Sequence, residues 1–178
     1  MKYIALFLFS LFSSADAMSS KAAPRSPNPV VKAMANGMNL LKPAFVAEAK
    51  LQASLLGSDV DEDEVAKEIA SEISSNKVVI YTYALSPFST EALAMLESTG
   101  YDYTQIELGA EWFLLGGKNS VKRVALSEQV ESGATSLPKV FVNGQCIGGC
   151  AELAAAVESG SLAAMVETPS KKPFFSFL

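Results

Sequence analysis

The sequence predicts an α/β fold in which helices flank a mixed sheet of four strands. Two β-rich runs are separated by a helical segment, and two further short strands enclose the turn Asn143-Gly144. Strands joined through a helix pair in parallel with a right-handed crossover, whereas strands joined by a two-residue turn pair antiparallel. Asn-Gly is also the strongest short-range hairpin signal. We therefore expect all four strands to belong to one mixed sheet.

The expected domain covers residues 58–168 and begins with an acidic helix that Ser58 or Asp59 can cap. Its apolar stripe recurs every four positions, at Val65, Ile69 and Ile73. Lys77–Tyr83 follows as a buried strand, because its β-branched and aromatic residues contain no breaker.

The next helix, strand and helix have clear signals for where they begin or end. Ser86 is the expected cap of the second helix, Pro87 is its first residue and Gly100 ends it. Tyr101–Leu108 is the second predicted strand, and Val121–Ser132 is the third predicted helix.

The last predicted elements are a hairpin and an alanine-rich helix. The hairpin strands are Lys139–Val142 and Gln145–Ile147, and the helix is Ala151–Ser159. The full order is α-β-α-β-α-β-β-α. This order fits one mixed sheet with helices on both of its faces.

Composition excludes several kinds of chemistry. The 178 residues include no histidine, so a Ser-His-Asp triad, a Cys-His dyad and a histidine-ligated metal are ruled out. The two cysteines, Cys146 and Cys150, cannot form a four-thiolate zinc site, and we expect no metal. A net charge of −5 makes nucleic acid an improbable partner, because phosphate binding needs a basic surface.

The amino terminus has the three parts of a secretory signal peptide. Lys2 is followed by an apolar run over residues 4–12 and by the small-residue cleavage pattern Ala15-Asp16-Ala17. Residues 1–17 are therefore predicted to direct the chain into the secretory pathway and to be removed. The run is too short to span a bilayer, and we expect no membrane span in the mature chain.

Residues 18–57 are basic and rich in serine and alanine. This composition is typical of a transit peptide, and the two segments together resemble the bipartite presequences of algae with complex plastids. A flexible linker with one helix is the alternative, because apolar residues from Met34 to Leu55 recur at roughly helical spacing, although Pro43 interrupts them. The protein would then be secreted or remain in the endomembrane lumen. If the chain enters a plastid, a second cut is expected near Ser58. The aromatic tail, residues 169–178, is predicted to dock on the domain or on a partner.

Three motifs carry a family resemblance. Ser86-Pro87-Phe88-Ser89 after a strand resembles the Cys-Pro-aromatic-Cys loop of glutaredoxins. Residues 135–144 (TSLPKVFVNG) resemble the family's Thr-Val-Pro segment, and residues 146–150 (CIGGC) resemble its Gly-Gly-Cys-Asp glutathione loop. The resemblance implies a thioredoxin-like (glutaredoxin) fold with a cis peptide bond before Pro138.

The resemblance also implies a glutathione-dependent thiol-disulfide oxidoreductase, but this chain departs from the family at the reactive positions. Ser86 and Ser89 replace both loop cysteines. A serine hydroxyl stays protonated near neutral pH, and the chain has no histidine to activate it. Ser86 is therefore expected to be a plain helix cap, and the protein to be redox-impaired and to act as a binding or scaffold module.

The glutathione site of the family is partly retained. The positions that match it are Leu137, Pro138, Gly148, Gly149 and Cys150. The backbone before the cis-proline can pair with an extended peptide, and the glycines offer N–H groups to a carboxylate. However, Tyr83 replaces the family's lysine and Ala151 its aspartate. Lys122 and Arg123 could supply another clamp, although a solvated helix face is the interpretation that we favour.

The alternative function is a residual oxidoreductase that uses Cys150, with Cys146 as a resolving thiol. Cys150 lies near a predicted helix start, which favours a thiolate. The interpretation that we favour is that Cys146 is a small buried strand residue and that Cys150 is inert. A third hypothesis is a transferase-like or peptide-binding use of the groove without redox chemistry. In each case the expected partner is glutathione or a thiol-containing protein or peptide.

Overall fold

The computed structural model describes residue 26, residues 28–37 and residues 42–168. The predicted signal peptide and aromatic tail lie outside the described residues. The helices are α1 (Pro29–Gly37), α2 (Lys42–Leu56), α3 (Glu62–Ile73), α4 (Pro87–Thr99), α5 (Gly117–Ser127), α6 (Cys150–Glu158) and α7 (Ser161–Glu167). The strands are β1 (Val78–Tyr83), β2 (Thr104–Gly109), β3 (Lys139–Val142) and β4 (Gln145–Gly148), and Trp112–Leu114 is a short 3-10 helix.

The four strands form one mixed sheet in the order β2-β1-β3-β4. β1 pairs with β2 in parallel and with β3 antiparallel, and β3 pairs antiparallel with β4. The predicted α/β fold with a four-stranded mixed sheet and flanking helices is therefore confirmed. The largest boundary differences are at β2, which begins at Thr104 rather than Tyr101, and at α5, which covers Gly117–Ser127 rather than Val121–Ser132; from β1 onward the others are shifts of at most one residue.

The sheet separates two apolar clusters. Neighbouring residues of a strand point to opposite faces. Val78 and Ile80 of β1 accordingly pack in a cluster with α4, α6 and α7, whereas Val79 and Tyr81 pack in a cluster with α3 and α5. Every residue of β1 is buried, as expected for a central strand covered on both sides.

Local capping signals place the helices that frame the site. Ser86 caps α4 with Pro87 as its first residue, and Gly100 ends that helix in the left-handed conformation at φ 68°. The cap of α3 is Asp61 rather than Ser58 or Asp59, and its carboxylate accepts from the N–H groups of two first-turn residues.

The hairpin turn has the backbone that Asn-Gly favours. Asn143 and Gly144 both have positive φ, 49° and 83°, which matches the right-handed twist of the flanking strands. The side-chain amide of Asn143 donates to the carbonyls of Met165, Val166 and Thr168. The turn therefore also holds the carboxyl-terminal helix α7 against the sheet.

The packed unit extends beyond the boundary expected at residue 58. Helix α2 lies against α5, and Ala49 is fully buried between them. A side chain at Gly117 would meet the Leu56 carbonyl oxygen, so the start of α5 requires glycine for this close approach. The segment that composition assigned to a transit peptide or linker therefore contributes a helix to the core.

Lys122 and Arg123 are buried, and the expectation of a solvated helix face is wrong. Lys122 Nζ lies 2.9 Å from a Glu68 carboxylate oxygen and 2.8 Å from one of Glu72, both on α3. Arg123 Nη1 lies 2.9 Å from a carboxylate oxygen of Glu48 on α2. Helix α5 is covered by carboxylate-bearing helices on two sides, so its cations are enclosed by partners instead of water.

Among the described residues, no helix combines the length and apolarity needed to cross a membrane.

Candidate functional site

A groove of about 600 Å³ lies where the start of α4, the cis-proline loop and the start of α6 meet. Six residues that the sequence assigned to a site line it together: Ser86, Leu137, Pro138, Gly148, Gly149 and Cys150. Its volume is in the range of ordinary small-ligand sites. Helix α2, which the sequence placed outside the domain, adds Lys42 and Phe45 to the lining.

Ser86 and Ser89 serve the local backbone. The Ser86 hydroxyl oxygen accepts a hydrogen bond from the Ser89 N–H at 3.3 Å, as a helix cap does. The Ser89 hydroxyl oxygen accepts from the Tyr83 N–H at 3.2 Å, which ties the helix start to the end of β1. Both side chains are buried, and only Ser86 lines the groove. In these two hydrogen bonds the partner of each hydroxyl is a backbone N–H group, which cannot act as a general base.

The cis-proline loop forms the middle of the groove. The Leu137–Pro138 peptide bond is cis, as predicted. Lys139 begins β3, and its ammonium group donates to the carbonyls of Ala134 and Ser136. The ammonium group of Lys139 therefore holds together the backbone of the loop over residues 134–138. This lysine is only 3 % exposed. The sequence analysis did not single out Lys139. The one signal for its role was a charged residue within the apolar run that follows Pro138.

The start of α6 forms the polar end of the groove. The Gly149 N–H donates to the Glu152 carboxylate at 2.8 Å. A side chain at Gly148 would meet Glu152 at 2.5 Å, and one at Gly149 would lie 3.0 Å from the Pro138 carbonyl oxygen. The glycine pair thus allows both close approaches. This end combines backbone donors with one fixed carboxylate.

Cys150 does not have the favoured thiolate that its helix position suggested. Burial raises the pKa of the Cys150 thiol to about 11, and the carboxylates of Glu91 and Glu152 add to this effect. The helix-start argument failed because the thiol is only 7 % exposed and has acidic neighbours.

The two cysteines pack on opposite sides of the sheet. Both line the groove and both are free thiols. Burial also raises the pKa of Cys146, partly offset by a hydrogen bond from the Gly148 backbone and by the charge of Lys139. However, Cys146 packs on the α3–α5 side of the sheet, whereas Cys150 belongs to the cluster on the other side. Disulfide exchange between them would require one thiol to leave its cluster.

Tyr83 leaves a polar group without a partner in the groove. Its ring is buried, and its hydroxyl has no hydrogen-bond partner within the part of the chain that the structure describes. Burial raises the pKa of this hydroxyl, opposed by the nearby Arg123 guanidinium. A buried unsatisfied hydroxyl beside a cavity is suited to a ligand's polar group.

Within the described ranges, no group of three or more cysteine, aspartate or glutamate side chains is arranged to hold a metal ion.

The buried ammonium group of Lys139 predicts a pH effect on stability. Burial lowers its pKa from 10.5 to about 8. Between these values the unfolded chain binds a proton that the folded chain has lost, so the lysine's contribution to the free energy of unfolding rises with pH. Denaturant titrations from pH 7 to 10.5 should therefore show wild type gaining stability relative to Lys139→Met above about pH 8. Parallel pH profiles for the two proteins would contradict this.

Sequence comparison identifies relatives of one kind. No family model matches the chain. A glutaredoxin of Ricinus communis is 32 % identical over 90 residues, which are 51 % of this chain and 81 % of the relative. Glutaredoxin 3 of Escherichia coli is 32 % identical over 85 residues, which are 48 % of this chain and 90 % of the relative. Each match therefore spans most of the relative but only about half of this chain.

Solved structures have the same fold. The crystal structure of a buckwheat glutaredoxin–glutathione complex superposes with a TM-score of 0.52 at 21 % identity, covering 59 % of this chain and 89 % of that one. Oxidised glutaredoxin 2 of Chlamydomonas reinhardtii gives 0.51 at 28 % identity, covering 61 % and 95 %. With its thioredoxin-like sheet, its cis-proline loop and relatives aligned over four-fifths or more of their length, the chain belongs to the glutaredoxin family.

Proposed function

We propose that this protein binds glutathione or a related thiol-containing peptide in the groove without the redox catalysis of its family. The observation that carries the proposal is the state of Ser86. Its hydroxyl oxygen caps α4 at the position where the resemblance puts the reactive thiol. The groove is present around this position, whereas the sulfur is missing.

The groove supports a short peptide as the ligand. Its middle is the backbone beside Pro138, where an extended chain can add as a strand. The start of α6, with its N–H groups, and the cations of Lys42, Arg123 and Lys139 also line the groove. The buckwheat relative was solved as a complex with glutathione. We extend glutathione to this chain as part of the proposal.

The thiols of this chain are poorly suited to exchange chemistry. A pKa of about 11 leaves roughly one Cys150 in ten thousand as thiolate at pH 7. The thiolate is the reactive form in disulfide exchange, so attack by Cys150 is expected to be slow.

A residual oxidoreductase that uses Cys150 is the second candidate. One observation favours it, namely that Cys150 is the first residue of α6 and lines the groove at its polar end. A ligand that displaced the Glu152 carboxylate would remove one cause of the raised pKa of Cys150.

A glutathione-dependent disulfide reduction assay distinguishes the two candidates. We expect the full chain to bind glutathione in a calorimetric titration but to show no turnover above the uncatalysed rate. Cys150→Ser and the matched variant Cys146→Ser should then leave both results unchanged. Turnover that disappears in Cys150→Ser but persists in Cys146→Ser would favour the second candidate.

Secretory or plastid targeting by residues 1–57 stays a prediction.

A further inference from the structure

Helix α2 is fastened to the cis-proline loop by a chain of hydrogen bonds. The Thr135 hydroxyl donates to the Phe45 carbonyl at 3.2 Å. Arg123 Nε donates to the Thr135 carbonyl at 3.1 Å, while its Nη1 contacts Glu48. The loop before Pro138 is thus held between α5 and α2. The groove wall that α2 supplies is therefore a fixed part of the site.

Three cations line the groove, and they differ in what they already bind. Arg123 is buried and contacts Glu48 and Thr135. Lys139 is buried, and its ammonium group is held by two loop carbonyls. Lys42 is half-buried and forms no ion pair or hydrogen bond with any other described residue. Its charge is close enough to contribute to the lowered pKa of Lys139.

The charged groups that line the groove match the two ends of glutathione in kind. The start of α6 offers N–H groups together with the Glu152 carboxylate. This combination matches the γ-glutamyl end, which carries a carboxylate and an ammonium group side by side. The glycine end carries a carboxylate alone, and Lys42, a lining cation without an ion pair among the described residues, matches it.

We propose that Lys42 binds the glycine carboxylate of the peptide in the groove, so that helix α2 is part of the binding site. Lys42 thereby supplies the charge that the family places at the position of Tyr83 and that this chain lacks there. This inference rests on the proposed function, because it assumes a ligand of the glutathione class.

Calorimetry with two probes tests the role of Lys42. S-methylglutathione has a blocked sulfur, so that disulfide exchange cannot contribute to the signal. Its glycine monoethyl ester lacks only the carboxylate in question. In the full chain, Lys42→Ala is expected to weaken binding of the free acid about fivefold and to leave binding of the ester unchanged. Lys42→Glu should weaken binding of the free acid further.

The matched control is Lys50→Ala, which removes an exposed lysine of the same helix that does not line the groove. It should bind both probes as wild type does. Equal affinity of wild type and Lys42→Ala for the free acid would overturn the role of Lys42 while leaving the proposed function standing. Failure of wild type to bind either probe would overturn both.

Discussion

Glu48→Ala is expected to lower the free energy of unfolding by about 2 kcal/mol. Arg123 is only 2 % exposed, and Glu48 is the carboxylate that contacts its guanidinium at 2.9 Å. The substitution removes a carboxylate from a buried positive charge. The loss is smaller than for a fully enclosed pair because the Glu48 side chain is 31 % exposed. Equilibrium urea unfolding measures the change.

Two comparisons make this prediction specific. Lys50→Ala, on the same helix and exposed, should change stability by less than about 0.5 kcal/mol. Arg123→Met should recover part of the loss in the Glu48→Ala background, because the buried charge that lost its carboxylate is then absent. If Glu48→Ala costs no more than Lys50→Ala, the pair does not stabilise the fold. A chain that starts at Ser58 lacks Glu48 and Ala49, and it should unfold at lower urea concentration than the full chain.

Features governed by local physics were predicted from the sequence. The cap at Ser86 and the Asn143-Gly144 turn each depend on residues within one turn of chain. The cis peptide bond before Pro138 came from the family motif and is also present. These features frame the groove, so most of its lining could be named in advance.

Features governed by distant contacts were missed. Glu48 and Arg123 are 75 positions apart, and Lys122 is 50 positions from Glu72. Charged residues are mostly exposed, so a solvated α5 was the reasonable expectation until its partners were known. A helix in the segment of α2 was one of two alternatives, but its place in the domain was missed, since Pro43 interrupts its pattern and only packing on α5 reveals its buried side. Lys42 entered the site with it.

Cys150 illustrates how burial overrides a local electrostatic argument. A helix start lowers a thiol pKa when N–H groups reach the sulfur and the surroundings are not acidic. Here burial and two carboxylates act in the opposite direction. Ser86 is also buried, but it is the cap itself and lines the groove, and its oxygen receives an N–H hydrogen bond, so we expect the helix start to outweigh burial there.

Ser86→Cys is therefore expected to create the reactive thiol that the chain lacks. The new sulfur replaces one oxygen at the cap of α4, where the Ser89 N–H and the helix dipole stabilise a thiolate. Its pKa should fall below the ordinary value of about 8.5. At pH 7 iodoacetamide should modify it roughly tenfold or more faster than Cys146 or Cys150, as mass spectrometry of the alkylated peptides would show. Ser86→Cys combined with Ser89→Cys should form an internal disulfide.

Ser98→Cys is the matched control, because Ser98 lies near the other end of α4 and its hydroxyl donates to the Met95 carbonyl. The dipole there opposes a thiolate, so this thiol should react no faster than an ordinary cysteine.

The double cysteine variant should still be a poor catalyst, since Tyr83 and Ala151 leave glutathione without two charged partners of the family. Adding Tyr83→Lys and Ala151→Asp should raise its turnover. If Cys at position 86 instead reacts as slowly as at position 98, α4 does not activate a thiol, and loss of the cysteine cannot explain a redox-impaired protein.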